Sequence, residues 1–304
     1  MNDIYRRQVA LLIRVMPLVF KIKDFAVHGG TAINLFHRNL PRYSVDIDVT
    51  YIPVQDRQTS LKTINGHLAN LKAAIEKAVP GIRVVHKPDV WKLQCTKEGT
   101  TIKIEVNGTK RGTIGDVEKI QLCDKAKEEF GMNCYANIVS WSQLFGGKIT
   151  AALSRQHPRD LFDCRRISAD DFNAVKDGFM LCLLGSDKPI IESLNPNPID
   201  QRDALDNQFE GMTDEPFSYE DYQKARENLI EVVNRGLTDE DKKFLISFED
   251  GNPEWEKCCA GDLSKYPSVK WKLQNITNLK SKNPTKHKEG VDKLIRYFDG
   301  GTSE

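Results

Sequence analysis

The chain has 304 residues, enough for one large domain or two of ordinary size, and with 39% hydrophobic and 29% charged residues it is not an intrinsically disordered polymer. A formal net charge of +1 excludes a uniformly basic nucleic-acid binder, but the charge is unevenly spread: residues 1–150 sum to +8, residues 151–250 to −10 and residues 251–304 to +3. The seven cysteines form no Cys-x-x-Cys pair, which fits free thiols in a reducing compartment better than a disulfide framework or a zinc site. With no secretory layout at the start and no apolar stretch near the roughly 20 residues that cross a bilayer, the expectation is a cytoplasmic protein without membrane contact.

Residues 4–20 have the apolar spacing of an amphipathic helix. Phe25-Ala26-Val27 predicts a strand that runs into Gly29-Gly30, and residues 31–36 a short helix. Residues 45–52 alternate in the manner of a strand. Residues 61–79 predict a long helix stopped by Pro80-Gly81, and residues 82–85, 91–96, 101–106 and 119–122 predict four more strands. After about residue 137 the pattern turns helical. Ser140 is placed to cap a helix to about residue 156, Pro158 to open the next, and Ser168 with Asp171 to form a capping box for 169–184. Residues 218–235 and 238–248 follow as helices, while 185–217, rich in proline, predict loop with short helical turns. The fold class is therefore α/β (α+β), with an α/β lobe over residues 1–137 and an α-helical lobe over 138–304.

The densest chemical signal lies in Gly29-Gly30-Thr31-Ala32 and Ser44-Val45-Asp46-Ile47-Asp48-Val49. Residues two apart on a strand share a face, so Asp46 and Asp48 project together while Ile47 and Val49 face the core. Two carboxylates held that close repel one another, and a divalent cation relieves the repulsion. Mg²⁺ suits such a site because it takes a few hard oxygens from protein and the rest from water and phosphate. Glu105, in Lys103-Ile104-Glu105-Val106, is a third acid flanked by apolar residues on a later strand, placed to complete a two-metal site. Gly29-Gly30, between strand and helix, offers backbone N–H groups to a phosphate. Ser44 is placed either to touch phosphate or to brace the strand.

A second cluster runs from Gly146-Gly147-Lys148 to Arg155 and on through Arg159-Asp160-Leu161-Phe162-Asp163. Lys148, Ala151, Ala152 and Arg155 share one helix face, and Asp160 and Asp163 share a face of the next helix. Read alone, this is a helical hairpin with Arg–Asp pairs.

Together these segments resemble the active-site signature of the DNA polymerase β-like nucleotidyltransferase superfamily and, more narrowly, the AbiEii/AbiGii-type toxins of abortive-infection and type IV toxin–antitoxin systems. The 15 residues between Gly30 and Asp46 make a longer gap than is usual in the superfamily. Tyr266-Pro267-Ser268-Val269-Lys270-Trp271-Lys272-Leu273 is similar to a C-terminal segment of the same family. The resemblance implies a polymerase β-like N-terminal lobe with a mixed sheet and a helical lobe that contributes Lys148 and the Arg-Asp-x-x-Asp motif. It implies catalysis by Asp46, Asp48, Glu105, Lys148, Asp160 and Asp163, with metal (Mg²⁺ or Mn²⁺) on Asp46, Asp48 and Glu105. Gly29, Gly30, Thr31, Ser44, Lys148 and Arg155 would bind the nucleotide, and Asp160 or Asp163 would orient Lys148 or Arg155. The implied reaction moves NMP from an NTP to an acceptor, RNA and specifically the tRNA 3′ end, as a growth-inhibiting toxin with a separately encoded antitoxin. The alternatives are a protein or small-molecule acceptor, and a non-catalytic RNA-binding or regulatory module.

Residues 263–288 hold seven lysines and no acid, with Tyr266 and Trp271 among them. This is either a solvated basic helix or a contact for an RNA backbone, with lysines on phosphates and aromatics on exposed bases.

Overall fold

The computed structural model describes residues 1–300. The described residues divide into two compact units, Met1–Ser140 with Asp206–Pro216, and Trp141–Leu205 with residues 217–300.

The first unit is a seven-stranded mixed sheet. In chain order its strands are β1 (Phe25–His28), β2 (Asp46–Tyr51), β3 (Arg83–Lys87), β4 (Lys92–Lys97), β5 (Thr100–Val106), β6 (Glu118–Gln121) and β7 (Tyr135–Ile138). Their spatial order is β3-β4-β5-β2-β1-β7-β6. The pairs β2–β5 and β1–β7 are parallel and the rest antiparallel. The alternation read from the sequence decides which face is buried. Ile47 and Val49 on β2, Ile102, Ile104 and Val106 on β5, Leu93 and Cys95 on β4 and Val84 on β3 are all buried. Helices α1 (Asp3–Val19) and α3 (Arg57–Ala78) pack on these strands. The opposite face is polar and in register: His28, Asp48, Glu105 and Lys92 form one row across four strands, and Asp46, Lys103 and Gln94 the next. The β4–β5 connection is the two-residue loop Glu98-Gly99, both with positive φ (48° and 76°), the backbone that a tight hairpin requires.

The second unit is helical. It contains α5 (Trp141–Arg155), α6 (Pro158–Cys164), α7 (Ala169–Leu184), α8 (Ile190–Leu194), α9 (Arg202–Ala204), α10 (Tyr219–Gly236), α11 (Asp239–Glu249), α12 (Pro267–Lys282) and α13 (Pro284–Phe298). Capping boxes open α7 at Ser168/Asp171, α10 at Ser218/Asp221 and α11 at Thr238/Asp241. Helices α5 and α7 cross where two glycines remove the side chains: a Cβ on Gly146 would stand 2.1 Å from the Phe179 nitrogen, and one on Gly178 2.1 Å from the Ser142 carbonyl oxygen.

Several elements differ from the sequence expectation. The short helix after β1 begins at Gly29 (α2, Gly29–Ala32) and continues as a π-type turn, Ile33–His37. A helix, α4 (Asp124–Phe130), and strand β7 occupy a stretch to which the sequence pattern assigns no element. Most notably, Asp206–Pro216 returns to the first unit rather than staying with the helical lobe expected over 138–304. There the Tyr43 N–H donates to Met212 O at 2.7 Å, the Asn2 N–H to Gly211 O at 2.7 Å and the Thr213 hydroxyl to Pro41 O at 2.8 Å. All seven cysteines are free thiols. Among the described residues no helix is long and apolar enough to cross a membrane.

Candidate active site

β2 is the central strand of the sheet, and its polar face presents Asp46 and Asp48, both partly exposed, above buried Ile47 and Val49. The glycine turn sits directly beside them. Gly29 has φ +73°, a left-handed conformation that costs a side-chain-bearing residue about 1–2 kcal/mol. A Cβ there would also lie 2.7 Å from Asp48 Oδ2. A Cβ on Gly30 would lie 2.7 Å from Arg42 Nη2 and 2.9 Å from Ser44 Oγ. Bare backbone is thus what allows the turn, the carboxylate of Asp48 and the Arg42–Ser44 loop to share one small space.

The surrounding bonds fix this arrangement. Thr31 donates its hydroxyl to the Asp46 carbonyl and lies 3.0 Å from Ser44 Oγ. Asn34 Nδ2 donates to Gly30 O at 2.8 Å. Arg42 is buried, donates from Nη1 to Tyr43 O at 2.8 Å, and bridges through its backbone to Thr213. On β1, His28 Nδ1 is 3.0 Å from Thr50 Oγ1. Thr31 is completely buried and braces the acid-bearing strand through these bonds. Ser44, half-buried, is part of the same brace.

Glu105 faces the same side as Asp48, its register partner, but its carboxylate is 2.6 Å from the ammonium of Lys92, the partner across the hairpin. Among the described residues no group of three His, Cys, Asp or Glu side chains is arranged to hold a metal ion. Glu105 thus shares the acid-bearing face with Asp48 and is ion-paired to Lys92 across the hairpin. Asp46 and Asp48 on β2 and Glu105 on β5 are hard carboxylates on one sheet face, donors of the kind that suit Mg²⁺ or Mn²⁺ with water and phosphate completing the shell. Lys92 was missed in the sequence reading, although the Glu98-Gly99 turn gives its register by counting outward from the loop.

In the second unit, the turn between α5 and α6 passes through Gln156 (φ +51°). That residue is itself buried and bonded to Asn197 O at 2.7 Å and Ile199 N at 3.1 Å. The reversal folds the two expected helix faces onto each other. Lys148 Nζ is 2.9 Å from Asp160 Oδ1 and 3.0 Å from Asp163 Oδ2, and Arg155 Nη2 is 2.7 Å from Asp160 Oδ2. Lys148 and both acids are buried, whereas Arg155 is exposed. Lys148 is thus enclosed within the hairpin, its ammonium held between the two acids. Burial by itself would raise the Asp160 carboxyl; Lys148 and Arg155 outweigh it and hold the group below its ordinary range, with Asp163 opposing them.

A mixed sheet whose central strand bears two aspartates, one of them packed against a bare glycine turn, is the arrangement a nucleotidyltransferase calls for. The profile of the family described as "Nucleotidyl transferase AbiEii toxin, Type IV TA system" matches residues 10–275. The chain belongs to that family, and it is a nucleotidyltransferase toxin of a type IV toxin–antitoxin system. Among solved structures, MenT4, a nucleotidyltransferase toxin from Mycobacterium tuberculosis H37Rv, is similar with a TM-score of 0.58 over 90% of this chain and 95% of that chain. At 14% sequence identity that likeness is one of fold. No curated protein matches the sequence significantly.

Proposed function

We propose that this toxin, acting in the cytoplasm, transfers a nucleoside monophosphate from an NTP to RNA, with the 3′ end of tRNA as acceptor. The observation that carries this reading is the Gly29 backbone packed against the Asp48 carboxylate on the strand that also bears Asp46. Asp46 and Asp48 would hold Mg²⁺ or Mn²⁺. When bound, the ion supplies charge neutralisation for the phosphates and for the departing pyrophosphate.

The chain's own residues do the rest. Gly29 and Gly30 present backbone to the triphosphate, and Arg42, Thr31 and Ser44 keep that turn against β2. The acceptor's terminal hydroxyl oxygen forms a bond to the α-phosphorus, the bond from that phosphorus to the β-bridging oxygen breaks, and pyrophosphate leaves. The hydroxyl proton passes to Glu105, which Lys92 orients on the same sheet face. In the second unit Lys148 is the nucleotide contact. Asp160 and Asp163 position its ammonium, and Arg155 adds an exposed guanidinium suited to phosphate. A separately encoded antitoxin, which in a type IV system need not bind the toxin, counters the activity.

Purified protein is incubated with each labelled NTP in turn, MgCl₂ and total tRNA. Wild type is expected to label RNA with one or more of the four, and Asp46→Ala and Asp48→Ala to label none. Label on RNA no greater than that of the two variants refutes the reading. Label that resists ribonuclease and follows protein moves the acceptor to a protein.

A further inference from the structure

The acid-free run at residues 263–288 separates in the structure into two kinds of side chain. Lys272 is 8% exposed and donates to Lys188 O at 2.7 Å and Leu183 O at 3.3 Å. Lys280 bonds the Asp250 carboxylate at 3.0 Å, and Tyr266 is 3% exposed. These three serve the internal packing of the second unit. The remainder of α12 faces outward. Trp271 is 53% exposed, and Gln274, Asn275, Asn278 and Lys282 are exposed too. Their spacing from Trp271, three, four, seven and eleven residues, puts all five on one stripe, away from buried Val269 and Ile276. Exposed Lys265 and Lys270 flank the stripe at one end, and exposed Lys286 and Lys288 continue beyond the other.

A single exposed apolar residue is ordinary. A large ring lined with amides and bounded by lysines, with no acid between Asp262 and Glu289, has a more specific chemistry. Protein-binding faces surround an aromatic anchor with further apolar groups; here only Leu279, at the stripe's edge, is an exposed apolar neighbour on the helix. Stacking rings plus backbone-neutralising cations are the means by which proteins hold unpaired nucleotides.

We propose that the Trp271 stripe of α12 is a docking surface for single-stranded RNA, with a base stacked on the indole and phosphates on Lys270 and Lys282. The proposal rests on the RNA-acceptor reading above and supplies the contact surface for that acceptor. It is tested by fluorescence anisotropy with labelled single-stranded RNA in EDTA, without NTP, so that binding is read independently of catalysis. Trp271→Ala is expected to weaken binding about tenfold, while Trp271→Phe, which keeps a ring, retains most of the affinity. Lys270→Glu/Lys282→Glu is expected to weaken binding and flatten its salt dependence. Asp46→Asn/Asp48→Asn is expected to bind as wild type does. Equal affinity of Trp271→Ala and wild type overturns the proposal, as does an RNA duplex of the same sequence that competes as well as the single strand. A wild-type dimer in size-exclusion chromatography that Trp271→Ala dissociates also overturns it, by giving the face to a second copy of the chain. If wild type transfers nothing to RNA yet this binding pattern holds, the catalytic reading has failed and the surface stands.

Discussion

The ammonium of Lys148 lies between two buried carboxylates, and its substitution therefore has a structural and a functional consequence that can be separated. Lys148→Met removes the buried ammonium that Asp160 and Asp163 share, leaving Asp160 its pair with the exposed Arg155, a change that costs about 3–5 kcal/mol where a buried pair is broken from one side. Urea unfolding should show that loss. The triple variant with Asp160→Asn and Asp163→Asn should recover much of the stability and none of the transferase activity. Recovery of activity would make the lysine purely structural. At Gly29 the sign differs: Gly29→Ala should cost only about 1–2 kcal/mol from its positive φ, yet abolish transfer, because the added methyl meets Asp48 Oδ2 at 2.7 Å. A near-wild-type rate for folded Gly29→Ala would remove the turn from the site. At this scale the acids were legible because strand periodicity is two, so Asp-x-Asp on an apolar frame has only one face to occupy. Thr31 was not legible: its hydroxyl is bound to the Asp46 carbonyl across a gap in sequence that no local pattern encodes. The pairing of Glu105 with Lys92 was hidden for a different reason, since it follows from hairpin register and not from either strand's own pattern.

Among the elements, helices with strong caps and long periodicity were the most readable, and short strands the least. The capping box at Ser168 predicted α7 with its observed limits, because Ser168 and Asp171 satisfy otherwise orphaned N–H groups at that position and at no other. Ser168→Ala should accordingly cost about 1 kcal/mol, seen as a lower denaturation midpoint without a change in activity. Strand β7 has only four residues and one register pair with β1, too little for an alternating pattern to stand out. The segment Asp206–Pro216 is held to the Pro41–Tyr43 loop by backbone pairing and one threonine hydroxyl on a carbonyl, and bonds to backbone groups leave little composition signal. The crossing of α5 and α7 is a third case. Gly146 and Gly178 look like helix weaknesses in sequence, yet each admits the other helix's backbone to within what would be 2.1 Å of a Cβ. Gly178→Ala should destabilise the second unit by about 1–3 kcal/mol or more through overpacking, whereas alanine would stabilise an exposed helical site. The sign of that change in thermal unfolding distinguishes a packed crossing from a tolerated glycine.

On the scale of the whole molecule, the two units carry different acid sensitivities. In the first, His37 and His86 are both held below the ordinary imidazole value of 6.5, chiefly by burial, with Glu118 opposing at His37 and Lys72 reinforcing at His86. A group whose native pKa is depressed contributes stability that is present above its unfolded value and lost as pH falls toward the native one. The first unit should therefore begin to lose stability once pH drops below 6.5. In the second, Asp160 and Asp241 are depressed from 3.8: burial pushes both upward but is outweighed by Lys148 at the first and Lys176 at the second. Their contribution survives until pH falls below 3.8. Glu249 acts in the opposite direction. Burial raises it above 4.5, so its charged form strains the native second unit at neutral pH, and that strain is relieved as the group protonates on the way down to 4.5. Between about pH 7 and about pH 5 the shifted groups thus weaken the first unit and strengthen the second. Hydrogen exchange followed by mass spectrometry, corrected for intrinsic rates, should show protection falling in peptides of β1, β2 and β5 and holding or rising in those of α7 and α11. His37→Gln/His86→Gln should flatten the response of the first unit alone. A parallel loss in both units, unchanged by that double substitution, would show that other groups govern acid stability.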